Sequence, residues 1–163
     1  MLARVVGVFK LDSNTFEEIE HNNSLTLYAA IIVGLVSLVS GIGTAIYRVI
    51  FHGSVFGGFF GSIIATILGW LVWSVITWFV GTNFFKGQAT IDEMLRVIGF
   101  AYLPLFISII PCVGSIIGGL WAIAAGFVAI RQGLDLDNMK TFWTVVIGAF
   151  GWIIISIIVN IIF

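Results

Sequence analysis

The stretch Val97-Ile98-Gly99-Phe100-Ala101-Tyr102-Leu103-Pro104, continuing through Ile110-Pro111-Cys112-Val113-Gly114 to Ile130, decides the topology of this chain. It carries no charge from end to end. As one helix it would be about 50 Å long at about 1.5 Å per residue, well beyond a hydrocarbon core about 30 Å thick. Pro111 removes an amide donor near its middle, and Ile110 before it is biased away from helical geometry. The expected result is a tight hairpin of two short helices, about 96–110 and 113–130. The first is short enough to need bilayer thinning or neighbouring helices in order to span.

Outward from that hairpin the chain repeats the same alternation of apolar run and polar break. Leu25 to Tyr47 is one run, ended by Arg48 and the patch His52-Gly53-Ser54. Phe56 to Val80 is a second, ended by Gly81-Thr82-Asn83 and the polar segment Lys86 to Glu93. The loop Arg131 to Lys140 separates the hairpin from a last run, Phe142 to Phe163. A transmembrane helix needs about 20 apolar residues, so the expected spans are 25–47, 56–80, 96–110, 113–130 and 142–163.

Composition agrees. Of 163 residues 60% are hydrophobic and 9% charged, with a mean hydropathy of +1.17. A soluble domain carries about 25% charged residues, and this chain could not cover a surface in water. The expected fold class is therefore all-α, a polytopic transmembrane helix bundle. Arg4 and Lys10 flank only a short apolar run with no small-residue cleavage site after it, so no signal peptide is expected. A net charge of −1 leaves no nucleic-acid footprint. Cys112 is the single cysteine, and His21 and His52 stand far apart, so neither a disulfide nor a metal site is expected.

Charge placement sets the orientation. With five spans and the N-terminus inside, Arg4, Lys10, Lys86, Arg96, Arg131 and Lys140 lie on the cytoplasmic side and only Arg48 outside. A single span in place of the hairpin would move Arg131 and Lys140 out and erase the asymmetry. The positive-inside rule thus favours N-terminus in and C-terminus out. Trp78 and Trp143 fall near the cytoplasmic ends of their spans. Residues 1–24 form a cytoplasmic N-terminal segment, and 25–163 the transmembrane domain. Within the former, Asn14 with Glu17 fits a helix N-cap, and Val5, Val6, Val8 and Phe9 beside Arg4 and Lys10 fit a short amphipathic membrane-surface helix. A partly ordered tail is the alternative.

Small residues are the strongest feature inside the spans. Gly57, Gly61, Ala65 and Gly69 form a four-residue stripe on span two, and Gly114, Gly118, Ala122 and Gly126 repeat it on span four. Ala30, Gly34, Ser37, Gly41 and Thr44 make a similar face on span one. Close backbone packing over such residues carries helix association in lipid. They are expected either to hold one bundle together or to leave a stripe free for a homo-oligomer or another membrane protein. No Asp or Glu lies deep in a span, which argues against an ion-coupled transporter but leaves a neutral pore open. Arg48 and Arg96 at span ends are expected to snorkel. No nucleophile elbow, zinc-binding helix pair or P-loop is present, so neither an enzyme nor a cofactor is expected.

The order of these features resembles the Yip1 family of five-span membrane proteins. Phe16-Glu17-Glu18-Ile19 before span one, Gly99-Phe100-Ala101-Tyr102-Leu103-Pro104 in span three and Ala129-Ile130-Arg131-Gln132-Gly133-Leu134 after span four carry the resemblance. Gly99 and Pro104 match the spacing of the family's Gly-Tyr-x-x-x-Pro pattern, with Phe100 in place of the tyrosine. The eukaryotic members' long N-terminal region and Asp-Leu-Tyr-Gly-Pro motif are missing, so a small prokaryotic-type member is implied and binding to Rab-type GTPases is not expected. What the resemblance implies is a non-enzymatic multi-pass protein, in the plasma membrane if prokaryotic. Its role would be to organise membranes or bind partners. The alternative is a small channel or transporter for a neutral solute or lipid.

Overall fold

The computed structural model describes residues 1–51 and 53–162, with the side chain of Asn160 left out. The readings that touch His52 and the end of the last run at Phe163 lie outside the described residues. Among those described there is no strand. Seven α-helices follow one another: α1 Leu2–Phe9, α2 Ser13–Glu20, α3 Thr26–Ile50, α4 Val55–Phe85, α5 Ile91–Ala101, α6 Val113–Gly133 and α7 Asn138–Ile162. Short 3-10 helices, Asn23–Leu25 and Leu103–Ile109, lead into α3 and follow α5.

Among the described residues four helical segments are long and apolar enough to cross a membrane: Asn23–Ile50, Val55–Phe85, Val113–Gly133 and Asn138–Val159. The region read as span three is not a single helix. It is α5 followed by the 3-10 helix, and Pro104 stands in the first turn of the latter, where its missing amide costs no hydrogen bond. The expected break at Pro111 is present. The Val113 amide bonds the Pro111 carbonyl at 2.8 Å across Cys112, which has φ 64° and ψ −76°. That is a γ-turn with a positive φ, a strained geometry for a residue with a side chain. It reverses the chain in three residues, and Cys112 is left exposed.

Local chemistry marks the other ends. Thr90 and Glu93 close a reciprocal capping box at the start of α5. Ser54 caps α4 through the Gly57 amide at 3.1 Å. The cap of α2 is Asp12, not Asn14: its carboxylate accepts from the Thr15 amide at 3.2 Å and the Thr15 hydroxyl at 2.6 Å. Asp12 has the extended backbone that a cap needs, whereas Asn14 is already one residue inside the helix. The Thr15 bond holds the Asp12 carboxyl below its usual range.

Residues 1–24 form two helices rather than a tail. Val8, Phe16 and Ile19 are fully buried, in one core with Met94, Val97, Ile98, Phe100, Ile130 and Leu134. Gly7 lets α1 fold back on α2, since a Cβ there would strike Thr15. The last carbonyl of α1, at Phe9, accepts from the indole of Trp121 on α6 at 3.1 Å. Exposed aliphatic side chains such as Leu35, Ile46, Ile116, Leu120 and Ile154 cover the outside of the bundle, as a lipid-facing surface requires.

Candidate functional site

Two polar places stand out among the described residues: a buried arginine under α2, and a cavity whose walls include α4 and α6. Arg96, on α5, is 1% exposed. One terminal nitrogen donates to Thr26 Oγ1 and Asp92 Oδ2, both at 2.7 Å, and the other donates to the Glu20 carbonyl at 2.6 Å. It does not snorkel to water, because α2 and the start of α3 close over it. The sequence held a sign of the pairing with Asp92, a spacing of four on a helix face, but none of the burial. The fork of the guanidinium is what lets one side chain satisfy both a helix-end carbonyl and a hydroxyl. Nearby, Arg131 donates to Ser13 at 2.9 Å and Gln132 to Glu17 at 3.0 Å, tying α2 to the end of α6. Burial pushes the Glu20 carboxyl up to about 7.

The cavity has a volume of about 550 Å³ and is walled by α3, α4, the turn and 3-10 helix after α5, α6 and α7. Its volume falls within the range of about 300–1,000 Å³ typical of ligand sites. Gly57, Gly61 and Ala65 stand on its α4 wall, so most of this stripe borders the cavity. Gly69 is closed by Trp152 of α7, which a Cβ would strike. Ser40, Thr44, Ser62, Thr66, Ser108 and Ser115 bring hydroxyls to the wall. Two of them, Ser40 and Ser108, bond each other at 2.9 Å and join α3 to the 3-10 helix. Thr44 and Thr66 donate to carbonyls one turn back, as hydroxyls in apolar helices do.

The three glycines of the stripe on α6 are spent on packing. Gly114 meets the Ile107 carbonyl, and a Cβ on Gly118 would lie 2.9 Å from the Pro104 carbonyl. Ala122 reaches the cavity. Gly126 receives Trp73, whose Cη2 would lie 2.6 Å from a Cβ there. On the other side of the same indole, a Cβ on Gly148 would lie 2.6 Å from Nε1. Trp73 is thus wedged between α6 and α7, with the Tyr102 ring centroid 6.1 Å away. These two rings border the cavity, and neither the Trp73 indole nitrogen nor the Tyr102 hydroxyl has a hydrogen-bond partner among the described residues.

The motif residues of the third segment serve packing. A Cβ on Gly99 would lie 2.8 Å from that of Ala29, so α5 and α3 meet backbone to backbone. Phe100 is fully buried in the core, and Pro104 starts the 3-10 helix. On α3, Gly41 packs on Phe59 of α4, while Gly34 has open space around it. Neither the cavity nor the burial of Arg96 was visible in the sequence, where a glycine stripe reads the same whether it meets a helix or a void. Among the described residues no group of three His, Cys, Asp or Glu is placed to hold a metal.

The family model described as Yip1 domain matches residues 6–162, nearly the whole chain. No curated protein and no solved structure matches it.

Proposed function

From the fact that this chain belongs to the Yip1 family of membrane proteins, we propose that it is a non-enzymatic multi-pass protein that organises membranes or binds partners. Residues 1–24 serve as a folded cytoplasmic cap on a five-crossing domain of residues 25–163, with the C-terminus outside. The observation that carries this reading is the docking of α1 and α2 into the same core as α5 and α6. A cap fixed in this way presents a rigid surface beside the bilayer instead of a loose tail.

Five crossings are supported by the length of the third segment. Eleven residues of α-helix and seven of 3-10 helix rise about 30 Å together, because the 3-10 form advances about 2.0 Å per residue against about 1.5 Å. Ser108 near its end meets Ser40 and Gly43, well along α3. The six-to-one distribution of basic residues supports the orientation, and a prokaryotic member would sit in the plasma membrane.

Crosslinking in native membranes tests the role. Discrete homo- or hetero-oligomers support it, and a strictly monomeric species with no partner counts against it. The second reading, a channel or transporter for a neutral solute or lipid, draws on the hydroxyl-lined cavity. Liposomes showing neither flux nor lipid scrambling would remove that reading.

A further inference from the structure

Arg48 carries the only charge on the cavity wall among the described residues. Its aliphatic stem lies over two glycines. A Cβ on Gly53 would be 2.5 Å from its Cδ, and one on Gly58 would be 2.8 Å from its Cγ and 3.4 Å from its Nε. The missing side chains at Gly53 and Gly58 therefore fix the guanidinium beside the first turn of α4. That turn, capped by Ser54, is the positive end of a helix of 31 residues. Among the described residues no carboxylate pairs with Arg48, and no hydrogen bond engages it. The cavity also presents the glycine wall of α4 and the hydroxyls of Ser62 and Ser115.

A cation unpaired among the described residues, on the wall of a largely apolar cavity, selects an occupant with one anionic end and a long apolar body. We propose that the cavity holds one anionic glycerophospholipid, with its phosphate on Arg48 and an acyl chain along Gly57, Gly61 and Ala65. A phosphate meets the planar fork of arginine through charge-assisted hydrogen bonds. The acyl chain takes the place that side chains on α4 would otherwise fill, and it lies parallel to the chains of the surrounding leaflet. The hydroxyls of the wall can donate to the ester carbonyls. This goes beyond the family reading and does not depend on it, since it requires neither an oligomer nor a soluble partner.

Native mass spectrometry of the full chain tests the assignment, after reconstitution with phosphatidylglycerol and phosphatidylcholine and extraction in a mild detergent. One retained phosphatidylglycerol per chain, in preference to phosphatidylcholine, is expected. Arg48→Gln should cut that preference about tenfold, the equivalent of losing one charge-assisted hydrogen bond, while Arg48→Lys keeps part of it. Gly61→Leu should displace both lipids by filling the wall. Ala65→Leu makes the same test from the next turn should the first variant not fold. Equal retention of the two lipids, or a preference unchanged in Arg48→Gln, overturns the proposal. So does binding of free inorganic phosphate without any lipid adduct. Loss of the lipid in Tyr102→Phe but not in Arg48→Gln would place recognition at Tyr102 and overturn it as well.

Discussion

Replacing Arg96 with methionine keeps the length and apolar stem of the side chain but removes the donors that hold α2 in place. The wild-type guanidinium makes three bonds of 2.6–2.7 Å, to Thr26, Asp92 and the Glu20 carbonyl. Asp92 is half-exposed and recovers water when its partner leaves, so its share of the loss is small, about 0–1 kcal/mol. The bonds to the Glu20 carbonyl and the Thr26 hydroxyl are charge-assisted, each contributing about 1.5–3 kcal/mol. Against them stands the relief of burying no charge, including a guanidinium Nε that has no partner among the described residues. The net expectation is a loss of about 2–4 kcal/mol, concentrated at the cap. Hydrogen exchange in detergent micelles should show faster exchange of the α2 amides, with the centres of α4 and α7 little changed. Arg96→Lys should fall between, because one ammonium cannot serve both the Thr26 side and the Glu20 carbonyl. Unchanged protection of α2 in Arg96→Met would refute the view that this side chain locks the cap.

The cap should also respond to pH. Burial raises the Glu20 carboxyl from 4.5 to about 7; Asp135, Glu17 and Glu93 push the same way, and His21 opposes them. The folded state therefore holds a proton that the unfolded state has released. Cap stability should fall as pH rises between about 4.5 and about 7, then level off, and Glu20→Gln should flatten much of that slope in a pH series of thermal unfolding. A pair of glycine substitutions checks the packing of α6 on the third segment. Gly118→Ala puts a Cβ 2.9 Å from the Pro104 carbonyl and should cost about 1–3 kcal/mol. Gly34→Ala meets nothing within 4 Å and should be neutral or stabilising by up to about 1 kcal/mol, both read from unfolding in detergent.

The sequence made the bundle legible because hydropathy and proline placement act locally. The break at Pro111 and the helices on either side of it follow from amide donors and apolar length, which are written in consecutive residues. The end of α5 was harder. Pro104 signals disruption, yet whether the chain kinks or changes to a 3-10 helix depends on how closely Gly114 and Gly118 let α6 approach. The cap of α2 was misplaced by two residues because Asn14 and Glu17 satisfy the spacing rule, while the neighbouring Asp12–Thr15 pair satisfies the geometry. Arg96 looked like a snorkelling end charge because nothing in one segment says that another, seventy-odd residues away, covers it. The cavity was invisible for a similar reason. Gly57, Gly61 and Ala65 have the pattern of a packing face, and only the folded chain shows that they line a cavity.

Labelling the single native cysteine with a membrane-impermeant maleimide decides the crossing number most directly. Cys112 is exposed at the reversal between the 3-10 helix and α6. With five crossings and the N-terminus inside, it reacts from outside in intact cells. Asp135→Cys, in a Cys112→Ser background, then reacts only after permeabilisation. If the third segment turns back without crossing, the two sites exchange sides. Labelling of Asp135→Cys from outside, with Cys112 protected until permeabilisation, would contradict the five-crossing topology.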